Sequence, residues 1–352
     1  MINFIENIKK IKLPFLIDEV IGVDLGTSST RIALREKGVV VREPTYLGYN
    51  TKIKDFIFFG KEAKIIIGKV PDYIKIIRPV INGIISDFDA SVSLIRYYIQ
   101  TSVMVFYKNF FLKPTFSIIA AAPHFSTEIE QKAIEELFSK LGFSQIYIIE
   151  KPIANALGAG IDVFSHQPAL IVDMGAGLIE IAIVSGGGIV NSRTIKTAGE
   201  SMNKIIYNYL YLKYGVIFGE STCENLKIQL LSFENDNKTI TIKGKSLETG
   251  LPKEVKIKST DIKESLITTF NHMVDNIREL IESSPPEILD EILSKGVILC
   301  GGLSRIKGID KFFAKELRIP VYVNEFYEDT TIYGLLKLSK DFLSLSKLAI
   351  KF

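Results

Sequence analysis

The chain has no tryptophan, two cysteines (Cys223 and Cys300) and three histidines among its 352 residues. Two thiols with neither metal-ligand spacing nor a framework of partners exclude a disulfide scaffold and a zinc site, and imply a reducing cytoplasm. A phosphate loop of the GxxxxGK[ST] type is missing too. No apolar run reaches the roughly 18 charge-free residues of a membrane span, and the N-terminus lacks the pattern of a cleavable signal. Forty-three basic residues against forty acidic ones leave a net charge of +3. With no dense basic stripe interleaved with aromatics, nucleic acid is not an expected partner.

What remains is a globular chain, 47% hydrophobic and long enough for two domains with cores of their own. Its most informative feature is a repeated pattern. The segments VIGVDLGTSST, ending at Thr30, and ALIVDMGAGLIEIAIV, ending at Val184, both read as an apolar run, an Asp, a Gly-containing hairpin and a second apolar run. Gly26, Gly175 and Gly177 lack the Cβ that would keep a ligand off the backbone, so successive N–H groups can converge on phosphate oxygens. Thr27, Ser28, Ser29 and Thr30 add hydroxyl donors. Asp24 and Asp173 end the two strands where a phosphate would repel them unless a cation intervenes, and Mg²⁺ suits carboxylate, water and phosphate oxygens. One such turn closes many ordinary hairpins. Two of them imply duplicated halves gripping a nucleoside triphosphate with magnesium.

Along the first half, strands are expected over 20–25, 31–35 and 39–41, then an insert with a strand near 56–59 and a helix near 62–67. A helix over 91–101, a strand over 116–121, a helix over 126–141 opened by the capping pattern Ser126-Thr127-Glu128-Ile129-Glu130, and a strand over 146–149 follow. The second half repeats the plan, with strands over 169–173, 179–184 and 189–194, a helix over 201–214, a polar β-rich insert over 230–258 and a long helix over 265–283. A strand over 296–299 then runs into a third Gly-rich turn at 300–304, a place where a purine or phosphate can lie against backbone. Strands alternating with helices imply an α/β architecture.

In this order the segments VDLGTSST, RPVINGIISDFD (78–89), IIEKPIANALGAG (148–160), VDMGAGLIEIAIVSGGGIV (172–190), GESTCENLKIQ (219–229), TGLPKEV (249–255), SSPPEI (283–288) and CGGLSRIKGID (300–310) resemble the MreB family of bacterial actins over nearly the whole chain. The resemblance implies the actin-like ATPase fold: two similar α/β domains, each with a small inserted subdomain, around a central nucleotide cleft. The expected division is an amphipathic segment at 1–12; one domain from 13–46, 86–160 and 322–352 with its insert at 47–85; and a second from 161–198 and 260–321 with its insert at 199–259. The resemblance places ATP on Thr27, Ser28 and Ser29 of the first loop and on Gly175, Ala176, Gly177 and Leu178 of the second. It places Gly199, Glu224, Asn225 and Lys227 toward ribose and base, and Gly301, Gly302, Leu303 and Ser304 behind the adenine, with Mg²⁺ held by Asp24 and Asp173, through water. Taken alone, Glu224 and Lys227 read as an exposed i,i+3 charge pair.

Two departures stand at the catalytic places. The family has a glutamate before the proline of the 148–160 segment and a threonine after the last Gly of the second loop, both positioning the attacking water; this chain has Lys151 and Leu178. Leu178 offers water no hydrogen bond, and a lysine with an ordinary pKa of about 10.4 accepts no proton. Very slow or absent hydrolysis is expected, with Lys151 reaching the γ-phosphate; the alternative is that Glu130 or Glu150 recruits the water instead. His124, His166 and His272 read as structural, and Cys223, without a partnering His, as no nucleophile.

The resemblance further implies self-association into paired protofilaments on the inner membrane surface. Ile2, Ile5, Ile8 and Ile11, beside Lys9, Lys10 and Lys12, suit a surface-lying membrane helix or one packed on its own domain. Phe110, Phe111 and Leu112 suit insertion at a headgroup boundary or core packing. Function is accordingly read as a membrane-associated cytoskeletal filament for cell shape or motility, the alternative being a non-polymerising ATP-binding adaptor of the FtsA or PilM type. A sugar kinase would need an acidic base for a hydroxyl acceptor, and the sequence offers no convincing candidate.

Overall fold

Two five-stranded sheets repeat one connectivity. A computed structural model of the chain describes residues 18–108 and 114–351. In the first half, β1 (Asp18–Leu25), β2 (Ser29–Leu34) and β3 (Gly38–Pro44) pair antiparallel. An insert follows, made of β4 (Leu47–Asn50), β5 (Asp55–Phe59), the helix Lys61–Ile65 and β6 (Ile74–Ile77), and then the hairpin β7 (Val80–Ile81) and β8 (Ile84–Ile85). The strands β9 (Thr115–Ala122) and β10 (Gln145–Glu150) return parallel to β1, giving the order β10-β9-β1-β2-β3.

The second half has β11 (Ala169–Met174), β12 (Ile179–Ser185) and β13 (Gly188–Ile195), an insert with β14 (Val216–Ile217), β15 (Thr239–Ser246) and β16 (Pro252–Lys258), then β17 (Val297–Cys300) and β18 (Val321–Val323). Its order, β13-β12-β11-β17-β18, has the same pattern of antiparallel and parallel pairs. The fold is α/β with duplicated halves. Both Asp residues of the repeated pattern lie at the C-terminal ends of strands central to their sheets, the position where open α/β sheets present ligand sites. β11 is buried at every residue, which is why ALIVDM reads as a continuous apolar run rather than an alternation.

Each half has its own apolar core, and a third cluster joins them. It contains Ile149 from the first sheet, Ile171 and Cys300 from the second, Ile153 and Ala154 of the helix Lys151–Gly158, and Ile332 and Leu335 of the helix Thr330–Lys340. These two helices cross with backbone almost in contact: a Cβ on Gly158 would run into the Thr330 carbonyl, and one on Gly334 into the Ala154 carbonyl. Thr331 adds a hydrogen bond from its hydroxyl to Asn155 Oδ1 at 2.7 Å.

Helix ends differ from the sequence reading where side-chain caps decide them. The helix expected at 91–101 is Phe88–Tyr98, because Asp87 accepts the Ala90 N–H and starts it a turn earlier. The long helix is Ser259–Glu282 rather than 265–283, started by Asp261, which accepts the Lys258 N–H. Thr127, not Ser126, is the N-cap of Glu128–Lys140, in a full capping box with Glu130. Cys223 and Cys300 are buried, and burial pushes the Cys223 thiol up to about 11 and Cys300 well above its ordinary value, so neither is a thiolate near neutral pH. Ile2, Ile5, Ile8, Phe110, Phe111 and Leu112 lie outside the described residues. Among those described, no helix is long and apolar enough to cross a membrane.

Candidate functional site

The two repeated loops have the same internal geometry. Gly26 N–H donates to the Ser29 carbonyl at 3.2 Å, and Gly175 N–H to the Leu178 carbonyl at 2.9 Å. A Cβ at either glycine would lie 2.8 Å from that same carbonyl oxygen, so no other residue closes these turns without moving them. The loops also meet a third element. Thr27 Oγ1 accepts the Gly83 N–H at 2.8 Å, and a Cβ on Gly177 would lie 2.9 Å from Asn82 Cα. Asn82 and Gly83, both at positive φ, form the tip of the β7–β8 hairpin. The first loop, the second loop and this tip therefore converge on one point.

Around that point opens a cleft of about 760 Å³, within the size range of small-molecule sites. Thr27, Ser28, Ser29, Gly175, Ala176, Gly177, Leu178, Gly199, Glu224, Lys227, Gly301, Gly302 and Leu303 line it, with Asp24, Asp173 and Lys151. Asn225 is exposed on the helix Glu220–Leu230, away from the lining. Ser304 is buried behind the third turn, its hydroxyl donating to the Gly301 carbonyl at 2.7 Å. Lys227 is buried instead of exposed: its ammonium donates to the Gly199 carbonyl and, at 2.7 Å, to Asn203 Oδ1, and burial lowers its pKa to about 8.

Lys151 dominates the floor of the cleft. Its Nζ lies 3.1 Å from Asp173 Oδ2 and 4.0 Å from Asp24 Oδ1, so one ammonium spans the carboxylates of both halves. Lys151 is the first residue of the helix Lys151–Gly158, with Pro152 in the first turn, where a missing N–H costs nothing. A cation at that end opposes the helix dipole. The two carboxylates offset this, and although burial disfavours the charge, Asp173 and Asp24 hold the ammonium protonated above its ordinary range. Asp24 is further paired through Oδ2 with Arg31 Nη1 at 3.5 Å, its register partner on β2.

This arrangement tests the expectation of magnesium. Both carboxylates already face fixed cations, Lys151 at both and Arg31 at Asp24. Unit charges 4 Å apart interact by about 4 kcal/mol at an effective dielectric of 20, so a dication beside the Lys151 ammonium meets a substantial repulsion. The donor set fits a bridging dication poorly.

Sequence reasoning missed several charged residues because their partners are far along the chain. Glu180, the register partner of Asp173, is buried in the cleft wall and accepts the His124 N–H at 2.9 Å; burial, with Asp173 nearby and Lys151 opposing, pushes it up to about 7. Glu130 is engaged by the Thr127 cap and Glu150 by His124 Nδ1 at 2.7 Å, and neither lines the cleft. At the mouth, Lys64 of the first insert pairs with Glu224 at 3.1 Å, and Arg78 with Glu220 at 2.6 Å and Glu200 at 3.5 Å, tying the first half to the helices Gly199–Tyr214 and Glu220–Leu230. Leu178 is buried, with Cδ1 facing Gly83. His272 is on an exposed helix face beside Asn276, and the His166 carbonyl accepts the Ser185 hydroxyl.

Comparison with known proteins agrees with this fold. The family model described as MreB/Mbl protein matches residues 18–347. The cell shape-determining protein Mbl of Bacillus subtilis is 34% identical over 316 residues, covering 89% of this chain and 93% of that protein. Among solved structures, MreB5 of Spiroplasma citri bound to ADP superposes with a TM-score of 0.88 at 31% identity, covering 94% of this chain and 98% of that one. The same protein bound to AMPPNP gives 0.87. The MamK double helical filament, at 19% identity and a TM-score of 0.77 over 92% of this chain and 99% of that one, shows the shared fold.

Proposed function

The chain belongs to the MreB/Mbl family, and on that footing we propose that it is an actin-like cytoskeletal protein that binds ATP in the cleft and polymerises into filaments on the inner face of the cell membrane, for cell shape or motility. The observation that carries this reading is the convergence of the two Gly-containing loops, each with its Asp, on one cleft between duplicated halves. The hydroxyls of Thr27, Ser28 and Ser29, and loop N–H groups other than the turn-closing ones of Gly26 and Gly175, suit phosphate oxygens. The ADP- and AMPPNP-bound structures of the Spiroplasma relative support a nucleotide in the equivalent place.

Turnover in this reading is very slow. Leu178 presents an alkyl chain and Lys151 a proton-saturated ammonium, and the loss of one positioning group typically costs about 10²–10³ in rate. Glu130 and Glu150 are engaged elsewhere. Lys151 instead favours the triphosphate state by a charge-assisted hydrogen bond. Membrane attachment rests on the sequence pattern of Ile2, Ile5, Ile8 and Phe110, Phe111, Leu112. Electron microscopy of the purified chain tests the proposal: filaments with ATP, and few without nucleotide, are expected, whereas nucleotide binding without any polymer assigns the chain to the adaptor class.

A further inference from the structure

We propose that Lys151 is a built-in counter-cation that takes over the work of the metal in nucleotide binding, so that this chain binds a nucleoside triphosphate in its metal-free form nearly as well as in its magnesium form. The inference deepens the ATP-binding reading and rests on it.

Three observations lead to it. One ammonium, from the first turn of the helix Lys151–Gly158, stands 3.1 Å from Asp173 and 4.0 Å from Asp24, the two carboxylates that would otherwise repel a polyphosphate. It is not held there by local preference, because a helix N-terminus disfavours a cation. Its position is fixed from behind, since the helix that carries it is locked against the helix Thr330–Lys340 at Gly158 and Gly334. Asp24 also faces Arg31 at 3.5 Å, a guanidinium it shares with Asp329, which Arg31 meets at 2.7 Å. The charge of the carboxylate pair is therefore met from within the chain, by Lys151 at both and by a share of Arg31 at Asp24, and the pair lines the same cleft as the phosphate-binding loops. A metal ion normally supplies two things here: compensation of acidic side chains and attraction for phosphate. A lysine ammonium with three donors supplies both as a point charge, and its own charge disfavours a dication beside it.

The test is equilibrium binding of ATP to the full chain, in excess magnesium and in EDTA, a readout independent of turnover. For the unaltered chain the dissociation constant is expected to differ by less than fivefold between the two media. For Lys151→Met, which keeps length and removes charge, it is expected to rise at least tenfold on going from magnesium to EDTA. A fivefold or greater loss by the unaltered chain in EDTA overturns the inference, as does a Lys151→Met chain that folds by circular dichroism yet is as indifferent to metal as its parent. If Lys151→Met does not fold, Lys151→Arg replaces it: retained binding in EDTA supports the inference, and magnesium-dependent binding overturns it. Binding by the unaltered chain only with magnesium overturns the inference but leaves the ATP-binding reading intact. No binding in either medium overturns both.

Discussion

Gly334 lies directly over the carbonyl of Ala154, with no room between them for a methyl group. Alanine ordinarily improves a helix interior by up to about 1 kcal/mol over glycine. Here the sign reverses, because the added carbon forces the two helices apart and overpacking costs about 1–3 kcal/mol. Gly334→Ala is expected to lower the urea midpoint with an unchanged slope, and to weaken nucleotide binding as well, since the same crossing sets the position of Lys151.

Restoring the missing groups should restore turnover. Lys151→Glu combined with Leu178→Thr returns an acceptor and a hydroxyl to the two places where this chain has an ammonium and an alkyl group. Phosphate release measured with magnesium is expected to rise by about 10² or more over the parent, with the single variants well below the double because the groups act on one water.

His124 gives a pH dependence of definite sign. Its hydrogen bond to Glu150 raises the imidazole pKa above 6.5 despite burial. A group whose folded pKa is raised adds stability that is complete below its unfolded value and is lost as pH rises through its folded value. Screening of this partly exposed pair keeps the effect within about 0.2–1 kcal/mol. Thermal midpoints of the parent should fall from pH 6 upward relative to those of His124→Gln; parallel curves would refute the pairing.

Lys64 and Glu224 close the mouth of the cleft across its two halves. Both are about two-thirds buried, which puts such a pair near 1 kcal/mol, or about a fivefold change in rate. Lys64→Ala is expected to speed dissociation of a fluorescent ATP analogue by about that factor while leaving the unfolding midpoint nearly unchanged.

Local patterns made the scaffold legible. The apolar-Asp-Gly hairpins are β1–β2 and β11–β12, and the Thr127 to Glu130 spacing is a capping box. Loop residues from Thr27 to Ser29 and from Gly175 to Leu178 line one cleft because the duplicated strands bring them there. Contacts made between distant segments were not legible. The helix Pro286–Lys295 is missing from the elements the sequence suggests, although Pro286 at its first position suits a helix start. The hold of Asn82 and Gly83 on Thr27 and Gly177, the Gly334 crossing and the burial of Glu180 depend on tertiary packing, which leaves no periodic trace in the sequence. Lys151 was visible as a departure, but its bridge between Asp24 and Asp173 belongs to the assembled cleft.

The most direct test of the central claim is phosphate release followed beside filament mass in one ATP-started assembly of the purified chain. The account predicts polymer that forms with ATP while released phosphate stays near background over the time of assembly. Phosphate appearing in step with polymer, one per subunit, would contradict it.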